Sequence, residues 1–300
     1  MIGQEEMDYT YTFLDKIFRL SFGEMGSYSG AMYNGDFSMT LNQAQNLKHE
    51  FIAQSLNIKK GSKVLDMGCG WGPFLKFLKD NGTDGIGVTL SKGQVENCRK
   101  NGLNVHLMDC KSIKPETFGQ FDAIASIGGF EHFCSVQEWK AGKQDEVYNN
   151  FFKVVYDLLP LGGRFYMQTM VFSKNMINYE KINIRVDKKS DAYICALMVN
   201  EYPNSWLPHS IDQIVKDARP YFKLIYKSSG RLDYIETTKQ WKKKFLKFNL
   251  KKYALFLSLI PLYVKDNNFR YRVAMLRTNA NRICFERKIF DHFRFVFEKV

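Results

Sequence analysis

Between residues 58 and 170 the chain moves repeatedly between two hydrophobic rhythms. Short β-forming runs alternate with segments that carry apolar residues at helical spacing, as Phe74, Leu75, Phe77 and Leu78 do. The pattern predicts strands near 63–67, 85–89, 104–108, 121–127 and 163–169, with helices between them. Such alternation predicts an α/β fold, a doubly wound and mostly parallel sheet whose ligands sit at the carboxyl ends of the strands. Ahead of it, residues 8–20 suit a helix that caps those strand ends, and 21–39 a loop. Thr40 with Gln43 forms a capping box that opens an amphipathic helix through Leu41, Ala44, Leu47 and Phe51. Residues 171–220 lose the alternation and are too long for an ordinary loop, which predicts a covering insertion with helices of its own. Strand character returns at 222–226, helices follow over 239–252 and near 267–284, and Phe293, Phe295 and Phe297 alternate as in a half-buried closing strand. The expected organisation is one domain with a seven-stranded sheet: a helical cap (1–57), a core (58–170), the insertion (171–220) and C-terminal strands and helices (221–300).

Composition narrows this little, since 45% hydrophobic and 25% charged residues in 300 are ordinary for a soluble globular chain. No basic leader precedes an apolar run at the N-terminus, and the longest apolar run, 253–264, is too short to cross a bilayer and contains Pro261. A cytoplasmic protein is expected. Cysteines 69, 98, 110, 134, 195 and 284 show no CxxC or Cys/His spacing, so they read as reduced thiols and no metal site is expected. Charge changes the picture more. The formal net charge is +12, and seven lysines but no acid fall within 239–252. Trp241, Phe245 and Phe248 give that stretch an apolar face. It reads either as a surface helix packing that face on the core, or as an interfacial helix in peripheral contact with anionic lipid at the inner membrane face. No nucleic-acid-binding motif accompanies the charge.

The stretch KVLDMGCGWGPF at 63–74 carries the most chemistry. It reads as strand, tight turn and helix. Gly68, Gly70 and Gly72 permit positive φ and let a ligand lie on backbone N–H groups at a helix start, where Pro73 fits the first turn. A dinucleotide site would place Asp or Glu at the end of the next strand to hold the ribose hydroxyls. Here that place offers Thr89, Leu90, Ser91 and Gln94. With Asp66 before the first glycine, the pattern points away from NAD and suits S-adenosylmethionine, which has no pyrophosphate to neutralise.

VLDMGCGWG at 64–72, GVTLSKGQ at 87–94 and SIGGFEHF at 126–133 closely resemble the cyclopropane fatty-acyl-phospholipid synthase family, which includes the mycolic acid cyclopropane synthases. SYSGAMY at 27–33, LLPLGG at 158–163, Tyr234 with Trp241, and the closing VFEK match in kind and order, so the resemblance covers about residues 20–300. It implies a Rossmann-like class I methyltransferase that uses S-adenosyl-L-methionine. By resemblance Tyr28, Ser29, Gly68, Gly70, Thr89, Gln94 and Ile127 contact that cofactor, with Gly72 completing the loop and Asp66 orienting it. Glu131 matches a glutamate that helps to hold a bicarbonate ion used as base, and Tyr234 matches its tyrosine partner.

Three positions depart from the family pattern. Gly30 stands where Cys is usual, Gln168 where His is usual, and Cys110 in place of an aromatic residue near the adenine. Glycine offers no side-chain contact and glutamine cannot carry a protonated histidine's charge, so the catalytic set Glu131, Tyr234 and Gln168 implies a weakened bicarbonate site. The expected reaction is methyl or methylene transfer to an alkene carbon of an unsaturated acyl lipid. The alternative acceptor is a small hydrophobic metabolite such as an isoprenoid or an amine, and a non-catalytic binding module is the third reading. Alkene methylation creates a carbocation that aromatic faces such as Phe130, Phe133 and Tyr234 can shield. Loss of two base-holding side chains favours methylation without ring closure.

Overall fold

The computed structural model describes residues 17, 19–23, 26–202 and 205–300, so the cap helix expected over 8–20 lies almost wholly outside the described residues. Thr40 and Gln43 form the reciprocal capping box that opens Leu41–Ser55 (α1). Lys63–Met67 (β1) is the hub of the sheet. It pairs in parallel with Asp84–Thr89 (β2) on one side and Ala123–Ile127 (β4) on the other, and Val64 to Met67 are buried on both faces. Asn104–Leu107 (β3) extends the sheet beyond β2, and Arg164–Phe172 (β5) extends it beyond β4. Phe290–Lys299 (β7) then lies antiparallel between β5 and Phe222–Ser229 (β6), which gives the order β3-β2-β1-β4-β5-β7-β6. The expected seven-stranded, mostly parallel sheet is the observed one. Because its strand order reverses between β1 and β4, a crevice opens at their carboxyl ends.

Two layers of helices close the faces. Pro73–Asp80 (α2), Lys92–Lys100 (α3) and α1 cover the side of Val64, Ala125, Tyr166 and Val296. Gln144–Leu158 (α4) covers the other, where Phe130, Phe151, Phe152, Phe165, Phe295 and Phe297 form an aromatic core. Residues 171–220 contribute Asp191–Glu201 (α5) and Ile211–Ala218 (α6). Tyr193, Ile194, Leu197 and Trp206 join Phe172, Phe285 and Phe290 in a second core over the carboxyl ends of the strands.

Four local expectations differ from the structure. β5 continues past 169 to Phe172 because its last residues pair with Phe290 to His292 of β7. β7 is not half-buried: His292, Arg294 and Val296 are as buried as Phe295 and Phe297, since β7 is an interior strand covered on both faces. The basic stretch 239–252 is not one helix. Arg231–Leu246 (α7) ends at Lys247, and Asn249 caps a new helix, Leu250–Ser258 (α8). Trp241 turns inward and stacks on Tyr28 with ring centroids 4.7 Å apart. Phe248 is 78% exposed, and Lys252 is buried with its ammonium on the carbonyls that end α7. The chain continues through Ile260–Lys265 (α9) to Asn267–Thr278 (α10) and Ala280–Glu286 (α11), which divide the helix expected near 267–284 at Asn279, a left-handed residue.

Candidate active site

A cavity of about 710 Å³ opens at the carboxyl ends of the central strands. One end of it is the glycine turn. Gly68, Gly70 and Gly72 have φ of +85°, +56° and +75°, the left-handed region that strains other residues. A Cβ on Gly70 would meet nothing within 4 Å, and one on Gly68 only the Gly129 Cα at 3.5 Å. Gly72 differs, because its Cβ would strike Leu103 and Cys98, so it lets α2 pack close instead of facing the cavity. Tyr28, Ser29, Asp66, Gly68, Gly70, Thr89, Gln94 and Ile127 all reach the wall, as do Glu131, Gln168 and Tyr234.

Asp66 is buried and its Oδ1 has no partner. Burial pushes its carboxyl up to about 7, with Lys48 pulling the other way. Lys48, which sequence reasoning passed over, is fully buried. Its ammonium donates to Gln45 Oε1 at 2.6 Å, Ser29 Oγ at 2.7 Å and Ser27 Oγ at 3.1 Å. Burial first, then Arg294, pushes it down to about 7. On the β2 side the Thr89 hydroxyl donates to Gln94 Oε1 at 2.6 Å. These residues fit S-adenosylmethionine. Open space lies over Gly68 and Gly70, an unpaired carboxylate oxygen on Asp66 suits an ammonium, and the Gln94 amide at the end of β2 can meet ribose hydroxyls. Cys110 is buried at this end, its thiol pushed up to about 12 by burial.

Glu131 stands at the junction with the other end. Its Oε1 accepts from the Met170 N–H at 3.0 Å while Oε2 is buried without a partner. Burial pushes the carboxyl up to about 7 against the pull of the hydrogen bonds it accepts. Tyr234 is buried with its ring stacked on Phe285 at 4.5 Å, and its hydroxyl accepts from Asn281 Nδ2 at 3.4 Å. Gln168 is engaged at both ends: Nε2 donates to the Gly30 carbonyl at 3.0 Å and Oε1 accepts from Tyr166 at 3.1 Å. A Cβ on Gly30 would lie 2.7 Å from Tyr234 Cδ2 and 3.1 Å from His292 Cε1, so those two rings fill the place a side chain would take. His292, on β7, is 1% exposed and its imidazole is held well below the ordinary range by burial, then by Arg294 and Lys48. The holders implied for bicarbonate are therefore changed at two points, Gly30 and Gln168.

Beyond Glu131 the wall turns apolar. Met170, Met176, Met198 and Met275 line it with Phe172 and Leu207. Methionine is flexible and polarisable, which suits a wall that must fit a long, variable apolar ligand. His132 lies near this end, its Nδ1 2.9 Å from Ser205 Oγ, and burial pushes it down to about 4. Among the described residues no group of three or more His, Cys, Asp or Glu gathers as a metal site, and all six cysteines are free and buried. Lys48 and His292 gave no sequence signal because a lysine in an amphipathic helix and a histidine in a strand are normally surface or packing residues.

The sequence matches the mycolic acid cyclopropane synthetase family over residues 3–260. It is 29% identical over 237 residues to cyclopropane mycolic acid synthase 3 of Mycobacterium tuberculosis (strain ATCC 25618 / H37Rv), covering 77% of this chain and 78% of that protein. It is 31% identical over 211 residues to the cyclopropane-fatty-acyl-phospholipid synthase of Escherichia coli (strain K12), covering 69% of this chain but 48% of that longer protein. The crystal structure of mycolic acid cyclopropane synthase CmaA1 complexed with SAH and CTAB superimposes with a TM-score of 0.78 at 24% identity, over 99% of this chain and 98% of that one. Sequence and architecture agree: the chain belongs to the mycolic acid cyclopropane synthetase family of S-adenosylmethionine-dependent enzymes.

Proposed function

We propose that this protein transfers a methyl or methylene group from S-adenosylmethionine to an alkene carbon of an unsaturated acyl lipid. One observation carries the reading: a single cavity runs from the glycine turn, past the unpartnered Glu131 Oε2, into a methionine-lined apolar chamber. When bound, the cofactor supplies a methyl already activated on a sulfonium. Asp66 and the N–H groups of the glycine turn orient it, with Ser29, held by Lys48, and Thr89, Gln94 and Ile127 around the nucleoside and Tyr28 closing over it on Trp241. The chamber holds the acyl chain straight and dry, so that the double bond meets the methyl in line. The alkene π pair would form the new C–C bond as the methyl leaves the sulfonium sulfur, which keeps the bonding pair and departs in S-adenosylhomocysteine, and the neighbouring carbon would become a cation that the Tyr234 face shields. Glu131 takes up the proton that the cation releases, and the C–H pair left behind closes a ring or a new double bond. Gln168 holds Gly30 so that Tyr234 and His292 keep their places. Residues 171–220 form the cover that excludes water. The acyl chain enters from a membrane surface in contact with the lysine-rich stretch that begins at 239. The complex of the relative CmaA1 with SAH and CTAB, a long-chain ammonium amphiphile, supports this reading.

The test is incubation with a trideuteromethyl cofactor and vesicles of unsaturated phospholipid, beside isoprenoid and amine acceptors. A lipid product that retains all three deuteria reports methylation, and one that retains two reports ring closure. Labelling of the small acceptors alone would overturn the acyl-lipid reading.

A further inference from the structure

The helices α8 and α9 carry an apolar stripe on the wrong side for a core. Leu250, Tyr253 and Leu257 share a face of α8 and Ile260 and Val264 a face of α9, at steps of three or four residues within each helix. Both faces point outward: Leu250 is 74%, Leu257 68% and Val264 64% exposed. Leu246 and Phe248, at the break between α7 and α8, add exposed apolar surface beside it. Soluble proteins seldom leave such a contiguous patch bare unless something covers it.

We infer that this stripe docks the enzyme on the surface of an anionic lipid bilayer. Charge selects the occupant. From Thr237 to Lys265 the chain holds eight lysines and no Asp or Glu. Lys242, Lys243, Lys247, Lys251 and Lys265 are exposed around the stripe, where their stems can follow the apolar surface while the ammonium groups reach the headgroups. A second copy of the chain placed on the same face would set one lysine field against another. The stripe also lasts barely two heptads and bends at Leu259 and Pro261, too short and too broken for a coiled-coil seam. Among the described residues no helix is long and apolar enough to cross a membrane, so the stripe lies in the interface and does not span it.

The position of these helices gives the docking a purpose, one that rests on the acyl-lipid reading above. α8 and α9 join α7 to α10. α7 contributes Lys242 and Phe245 to the cavity wall, and α10 contributes Met275 and Leu276. The stripe therefore lies on the connection between two walls of the apolar chamber, and seating it on a leaflet brings that side of the chamber to the acyl chains.

The test uses the full chain with the double substitution Leu250→Asp and Leu257→Asp. Both side chains are exposed and neither lines the cavity, so melting temperature and S-adenosylhomocysteine affinity should match the parent. The parent should float with vesicles that are about one-third phosphatidylglycerol, stay behind with pure phosphatidylcholine, and be released by salt. The double variant should lose at least about tenfold in vesicle affinity while still labelling detergent-dispersed unsaturated lipid. Equal flotation of parent and variant would overturn the inference. So would a parent dimer in sedimentation that the variant converts to monomer without any vesicle binding, which would give the face to a second copy. Failure of the parent to label any lipid would remove the proposed reaction and leave the flotation result standing by itself.

Discussion

The two ends of the cavity are built by different rules. At the end proposed for the cofactor, Asp66, Gly68 and Gly70 come from one strand and one turn, whose glycines leave the backbone open to the cavity. At the end proposed for the acceptor, Glu131, Met170, Met198, Tyr234, Met275 and His292 come from six separate elements and all reach the cavity wall. Backbone recognition demands one residue type at each position, because only glycine turns left-handed without a Cβ. Side-chain recognition needs a shape, and several combinations of residues make the same shape. Position 30 illustrates the second rule. It has no side chain, and Tyr234 and His292 from distant elements occupy the space instead.

The comparison breaks most sharply at Glu131. If this carboxyl belongs to the acceptor end alone, Glu131→Gln lowers turnover about a hundredfold or more, roughly 2.7 kcal/mol. Its affinity for S-adenosylhomocysteine, read by calorimetry, should stay within about threefold of the parent. A parallel loss of both would assign the residue to the cofactor end. The converse substitution is Gly70→Val. It puts a β-branched side chain at φ +56° into the open space over the turn. Cofactor affinity should drop about thirtyfold, or some 2 kcal/mol, with the circular dichroism spectrum unchanged. Parent-like affinity would move the cofactor away from the turn.

Stability against pH sharpens the contrast. Burial holds Glu131 at about 7, against an ordinary value of 4.5. Between those values the folded protein keeps a proton that the unfolded chain has released, so this group lowers stability as pH rises from about 4.5 to 7 and adds no further loss above. Glu131→Gln should therefore be more stable than the parent at pH 8 by roughly 3 kcal/mol, and the gap should shrink toward pH 5. Urea midpoints at the two pH values measure it, and a gap independent of pH would mean that the carboxyl is not held protonated. The smallest effect is expected at Gly30→Ala. The added methyl crowds Tyr234 and His292 and should cost about 1–2 kcal/mol in urea unfolding, with cofactor affinity untouched. An unshifted midpoint would show that the two rings are not locked into that space.

The same division governs what could be read from the chain. The parallel sheet, the capping box of Thr40 and Gln43, and the glycine turn were legible because each depends on neighbours a few residues apart and on backbone geometry that few residue types satisfy. Contacts between distant segments leave no such trace. Lys48 looks like a solvated helical lysine until Ser27, Ser29 and Gln45 enclose it. His292 looks like one polar residue of a half-buried strand until β7 inserts between β5 and β6 and both of its faces are covered. The lysine-rich stretch at 239–252 announced its charge, but Trp241 faces inward within α7, and Phe248 and Leu250 stay outside at the break of Lys247 to Asn249. Local stereochemistry and hydrophobic period thus determined the sheet and the cofactor turn. Burial decided which ionisable groups lost their water and which apolar residues kept it, and burial is a property of the whole packed chain.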